Sequence, residues 1–187
     1  MTGNKGFTLI ETVVALGIFI AISAGLGEVI SVSIQNQVKI VAMQNTFSQA
    51  IFSLDKIEKE LRMAKKDLSG SCVGARERNY NVVQGTLLDS ITFLFLDQDL
   101  GVKCKKYTVE GGQIKEYISE NTTSTFTTGI NVTSSLYSVN SLKFILTGDT
   151  SSQDNLQPKI TILMNISNDY LSPMNIQTTI SQRRLDL

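Results

Sequence analysis

From Phe7 to about Ile30 the chain is apolar, and the only charges inside that stretch are Glu11 and Glu28. Between them, Thr12 to Gly27 is 16 residues without a charge. Phe7 to Gly27 is 21 residues, or about 31 Å as a helix, which matches the hydrocarbon core of a bilayer. The segment can therefore cross a membrane. A secretory signal peptide would show a shorter apolar core and then a small-x-small cleavage site. Ala21, Ser23 and Gly25 imitate such a site, but the helical pattern runs on past them. A plain membrane anchor leaves Glu11 unexplained. An acid inside an apolar run costs a few kcal/mol unless it meets a cation, so its presence points to function.

Composition narrows the chemistry further. The 187 residues suffice for one domain with a sizeable core. Histidine is absent, which removes the commonest general base, the histidine-activated nucleophiles and the commonest transition-metal ligand. Two cysteines do not complete a four-ligand zinc site. The sequence contains no Gly-x-Ser-x-Gly elbow, phosphate loop or metal cluster. No enzyme activity is expected, and no cofactor is implied. The 17 basic and 17 acidic residues cancel, so there is no basic field for nucleic acid.

The string Lys5-Gly6-Phe7-Thr8-Leu9-Ile10-Glu11 resembles the prepilin signature of type IV pilins and type II secretion pseudopilins. The resemblance implies that a membrane aspartyl peptidase, the prepilin peptidase, cuts after Gly6 and methylates the new N-terminus at Phe7. It also implies that Glu11 pairs with the N-terminal amine of a neighbouring subunit during filament assembly. The physics of the segment agrees. Cleavage places an ammonium at the edge of the apolar phase, one helical turn from Glu11. A helix N-terminus already favours a nearby carboxylate. Buried among other helices Glu11 is tolerable only when paired, so the pair fixes axial register more than it adds stability. Gly6 resists helix and keeps the cut accessible. Lys5 stays cytoplasmic under the positive-inside bias. The chain departs from the family at Glu28, where many members carry a proline. Gly25 and Gly27 just before it either supply an equivalent soft spot, at about 1 kcal/mol each, or let helices pack closely.

No proline occurs before Pro158, and apolar residues recur at helical spacing after Ile30: Ile34, Val38, Val41, then Phe47, Ala50, Ile51, Leu54, Ile57, Leu61, Ala64 and Leu68. The opposite face is polar. The spacing predicts one helix from Phe7 to about Leu68, stopped by Ser69-Gly70-Ser71, with its later stripe covered by a sheet. Asp55 to Asp67 carries five positive and four negative charges, which read as a solvated helix face.

Strands are expected over residues 90–96, 102–109, 114–119, 142–147, 159–166 and 176–182. The first, buried on both sides, should be central. Glu110-Gly111-Gly112-Gln113 marks a hairpin. Consecutive strands of this kind pair antiparallel. Ser119 to Ser141 has 15 Ser, Thr or Asn among 23 residues and reads as a polar excursion with weak strands at most, near 130–132 or 136–139. Cys72 and Cys104 are expected to be bridged outside the membrane, which would contribute roughly 3–4 kcal/mol in the chain-entropy model. Asp97 to Gly101 and Thr147 to Asn155 offer oxygens, but they lack the spacing and closing glutamate of a calcium loop. They serve equally as turns, and no metal site is expected. The strand opening at Asp89, the Gly-Gly hairpin and the closing Gln177–Arg183 resemble the larger minor pilins and the J-class minor pseudopilins.

The chain is thus expected to be α+β with a type IV pilin-like fold. A long N-terminal helix, membrane-spanning in its first half, packs on an antiparallel β-sheet. Its divisions are a leader over 1–6, a transmembrane and filament-core helix over 7–29, the amphipathic half of that helix over 30–68, and an antiparallel β globular domain over 69–187. The resemblance implies a minor structural subunit of a type IV pilus or a type II secretion pseudopilus. The alternative is a pilus-tip adhesin or a membrane-anchored extracytoplasmic binding protein. Glu11 argues against the extreme tip, whose subunit in this family often lacks that acid. The partners implied are the prepilin peptidase, other pilins or pseudopilins, an inner-membrane assembly platform and membrane lipid. The location implied is the bacterial inner membrane, crossed once, with the C-terminal domain outside.

Overall fold

The computed structural model describes residues 6, 8–97, 101–148 and 157–182. The chain divides into two compact units, Met1–Val41 and Ala42–Leu187, and a single helix, α1 (Leu9–Arg62), starts in the first and ends in the second.

In the first unit α1 exposes apolar side chains all round, Val13, Leu16, Phe19 and Leu26 among them. Its most apolar 18-residue window has a mean hydropathy of 2.3 and none of it is buried, so the helix is long and apolar enough to cross a bilayer. It stays helical through Gly25, Gly27 and Glu28. A Cβ built on either glycine would meet nothing. Ile30, Ile34, Val38 and Val41 are also exposed. Over Ile30 to Val41 the stripe expected to be covered by a sheet is thus exposed.

In the second unit the buried positions of α1 are Thr46, Ala50, Ser53, Leu54, Ile57 and Leu61, spaced as one helical face. They join a core supplied by two antiparallel sheets. The first sheet runs in the order β1 (Tyr80–Val83), β2 (Ser90–Asp97), β3 (Gly101–Glu110), β4 (Gln113–Ile118) and β5 (Gly129–Asn131). The second is β6 (Ser138–Thr147), β7 (Lys159–Asn168) and β8 (Leu171–Ser181). Two sheets thus replace the single one expected. The break falls in the Ser/Thr-rich excursion, where β5 pairs with β4 and β6 pairs with β7.

Alternation sorts each strand. Ile160, Ile162, Met164 and Ile166 of β7 are buried, whereas Thr161, Leu163 and Asn165 between them are only half-buried, as a period of two requires. In β2, Ile91, Thr92, Phe93 and Leu94 are buried in succession, so this strand is covered on both faces. At the β3–β4 turn, Glu110 faces Gln113, and Gly111 and Gly112 have φ of 62° and 75°. Two residues with positive φ are what the favoured two-residue hairpin demands.

The helix ends at Arg62 rather than near Leu68. Met63 and Ala64 donate to the carbonyls of Glu60 and Leu61 at 3.0 and 3.2 Å, tightening the last turn. Beyond it Lys65 N donates to Leu94 O at 2.8 Å, beginning a strand-like pairing with β2. The Tyr80 hydroxyl takes the Leu61 carbonyl at 2.6 Å and the Gln182 amide takes that of Ala64 at 2.9 Å. These distant partners satisfy the helix end, and no local spacing announces them.

Candidate functional site

Thr8 is the N-cap of α1, and Glu11 lies three residues into the helix. The Thr8 backbone N–H and hydroxyl both donate to Glu11 Oε2 at 3.1 Å, and Glu11 N donates back to Thr8 Oγ1 at 3.4 Å. This is a capping box. It satisfies amides that an α-helix otherwise leaves open at its start, and it places a carboxylate where the helix dipole favours one. The Thr-x-x-Glu spacing was a signal available in the sequence, though the reading above gave Glu11 only an intermolecular role. Around the carboxylate the helix surface is apolar, with Ile10, Val14 and Ile18 each more than half exposed. Gly6 is exposed, and a Cβ built there would meet nothing. Phe7, the residue expected to become the methylated N-terminus, lies outside the described residues.

Cys72 and Cys104 are joined by a disulfide with Cα atoms 5.6 Å apart. Beside it Asp67 is fully buried. Its Oδ1 accepts the amides of Ser69 and Gly70 at 3.1 and 2.8 Å, and its Oδ2 accepts those of Cys72 and Val73 at 2.8 and 2.9 Å. Burial pushes its pKa up, but the donors of Val73, Cys72, Ser69 and Gly70 outweigh this and hold it below the usual value. The carboxylate thus folds the 67–73 turn around itself and presents Cys72 to β3.

The charges of Asp55 to Asp67 are not simply a solvated face. Lys56 and Glu60 reach the first sheet. Lys105 Nζ lies 2.9 Å from Glu60 Oε1 and also pairs with Glu116, which in turn binds Lys56. The Tyr107 hydroxyl donates to Glu60 Oε2 at 2.5 Å. Lys105 and Glu116 occupy inward positions on adjacent strands, where periodicity alone predicts apolar residues. Asp89 forms a third buried station. It accepts the amides of Gly85 at 2.9 Å and Phe144 at 3.0 Å and pairs with Lys143 at 3.0 Å, so it ties the start of β2 to β6. Sequence reasoning singled out none of these groups as structural anchors.

Among the described residues, no three metal-ligating side chains gather into a cluster. Much of the two oxygen-rich loops considered for calcium lies outside the described residues.

Residues 1–27 match the family model of the prokaryotic N-terminal methylation motif. A type IV-like pilin from Thermus thermophilus superposes with a TM-score of 0.54 over 72% of this chain and 95% of that one, at 8% identity. The fold is type IV pilin-like. A comparison with curated proteins returned no match. The prepilin methylation motif thus heads an apolar helix whose far end packs on antiparallel sheets. This motif implies processing by a peptidase and assembly with other pilins.

Proposed function

We propose that this protein is a minor structural subunit of a type IV pilus or a type II secretion pseudopilus. It is stored in the inner membrane by α1, cut between Gly6 and Phe7 by the prepilin peptidase, and methylated on Phe7. The C-terminal domain faces away from the cytoplasm until an inner-membrane platform drives extraction. The observation that carries this reading is Glu11, a carboxylate set in an apolar, unpartnered helix one turn from the cut. In a filament core the acid needs a cation, because a buried unpaired charge is strongly destabilising. The ammonium created by cleavage on a neighbouring subunit supplies it. Each added subunit is then registered by one ion pair, while apolar contact between helices provides most of the cohesion.

The test is a pair of variants expressed with an active prepilin peptidase. Gly6→Val is expected to leave Met1 in place when the N-terminus is read by mass spectrometry. Glu11→Ala is expected to be cut and methylated normally yet to be depleted at least tenfold from sheared filaments. Wild-type filaments containing uncut chain, or normal incorporation of Glu11→Ala, overturn the reading.

A further inference from the structure

A cleft of about 350 Å³ opens in the second unit where three turns meet. They are the β3–β4 hairpin turn, the 135–138 stretch leading into β6, and the turn between β7 and β8. Its volume falls within the range of small-molecule sites. Hydroxyls and amides dominate the lining, Gln113, Ser138 and Asn168 among them. Asp169 adds one carboxylate, Leu136 and Tyr137 add apolar surface, and among the described residues no lining residue is a cation.

The walls are held before any ligand arrives. Val139 N donates to Gly112 O at 2.8 Å across the two sheets. Gly112 lies so close to Ser138 that a Cβ would sit 3.0 Å from its hydroxyl. Asn168 Oδ1 accepts the amide of Tyr170 at 3.0 Å. The polar surface continues beyond the cleft. Ser167, which lines it, accepts the Asn140 amide at 3.0 Å. Asn140 also donates to Asn165 at 2.9 Å, and Asn165 to Asn175 at 2.7 Å. An uncharged row of three side-chain amides, Asn140 and Asn175 exposed and Asn165 half-buried, thus crosses β6, β7 and β8 and ends at the cleft.

This chemistry selects among ligands. The carboxylate and the lack of a lining cation disfavour phosphate, sulfate and nucleic acid. Buried polar groups left without partners disfavour an apolar helix or acyl chain. A peptide strand would need a free edge, but the adjoining edge of β6 is already bonded to Gly112, Leu87 and Asp89. A ligand dense in hydroxyls, with thin C–H faces to lie against a ring, satisfies every lining group. We propose that the cleft and its amide row bind an uncharged oligosaccharide, one ring resting on Tyr137 and its hydroxyls held by Gln113, Asn168 and Asp169.

The full-length chain in nanodiscs is titrated with cellohexaose, maltohexaose, chitohexaose, a heparin hexasaccharide and a Ser/Thr-rich peptide, with saturation-transfer NMR and calorimetry as readouts. At least one neutral hexasaccharide is expected to bind. Asp169→Ala and Gln113→Ala are each expected to weaken it tenfold or more, and Lys115→Ala, outside the lining, to leave it unchanged. No binding by any neutral sugar, preference for heparin or the peptide, or unchanged affinity in both lining variants overturns the proposal. Because the subunit is assayed outside any filament, the result is distinguishable from success or failure of the assembly reading.

Discussion

Lys105 is nine-tenths or more buried on a strand face that otherwise carries core residues, with its ammonium 4.2 Å from the centre of the Phe95 ring. Such a charge is tolerable only with its partners in place, here Glu60 and Glu116. Lys105→Met is therefore expected to destabilise the second unit by about 3–5 kcal/mol, because it leaves buried carboxylates short of a cation. Lys105→Met with Glu116→Leu is expected to cost less than the sum of the single changes. Urea unfolding followed by tyrosine fluorescence measures both. Glu116, Asp67 and Asp89 also set the acid limit. Burial raises each pKa, yet ammonium or amide donors bring each below its ordinary value of 4.5 for Glu or 3.8 for Asp. A folded value below the unfolded one means that the stabilisation is complete above the ordinary value. It is lost as pH falls through the lowered one. Stability is thus expected to decline progressively below about pH 4.5. Asp67→Asn, which puts amide hydrogens among four backbone donors, is expected to be less stable at pH 7 and to show a shallower acid limb in the same assay.

The β3–β4 hairpin was readable from Gly111-Gly112 because positive φ at both central residues is a local demand. Gly112 adds a tertiary one, its approach to Ser138. Gly112→Ala is expected to cost roughly 1–2 kcal/mol from left-handed strain alone and to lower the midpoint of thermal unfolding, whereas Gly111→Asn, which meets open space, is expected to be nearly neutral. The alternation of β7 and the unbroken apolar run of β2 were equally legible, since each strand shows its own burial pattern. Three features were not. The four-residue β1 is too short to carry a period. The end of α1 is set by Leu94, Tyr80 and Gln182, which lie far along the chain, while Ala64 and Leu68 continue the helical spacing beyond it. The division into two sheets depends on what β6 meets, namely the backbone of Leu87 and Asp89, and no strand announces its neighbour. At the N-terminus the motif over residues 1–27 was legible because it is a matter of local spacing, whereas the capping box between Thr8 and Glu11 was passed over; the roles of Gly6, Phe7 and Glu11 in cleavage and pairing remain proposals.

The molecule combines a surface that water does not tolerate with a body held by buried ion pairs, a disulfide and two sheets. Exposed Leu9, Ile18, Phe19 and Ile30 need lipid or other apolar helices around them. The body stands on interactions of its own. Replacing both cysteines with serine is expected to lower the stability of the second unit by about 3–4 kcal/mol in the chain-entropy model while leaving the proposed cleavage after Gly6 unaffected. Unfolding with and without reductant, read beside N-terminal mass spectrometry, separates the two effects.

The cystine also governs how force would travel. Nine residues, and so ten Cα–Cα steps, separate Arg62, the last residue of α1, from Cys72, which is bonded to β3. A tug on the helix meets its first covalent stop after paying out at most about 35 Å of connector. Tension then enters the middle of a five-stranded sheet rather than peeling the short edge strand β1, so the cross-link acts as a strain-relief clamp on a cable.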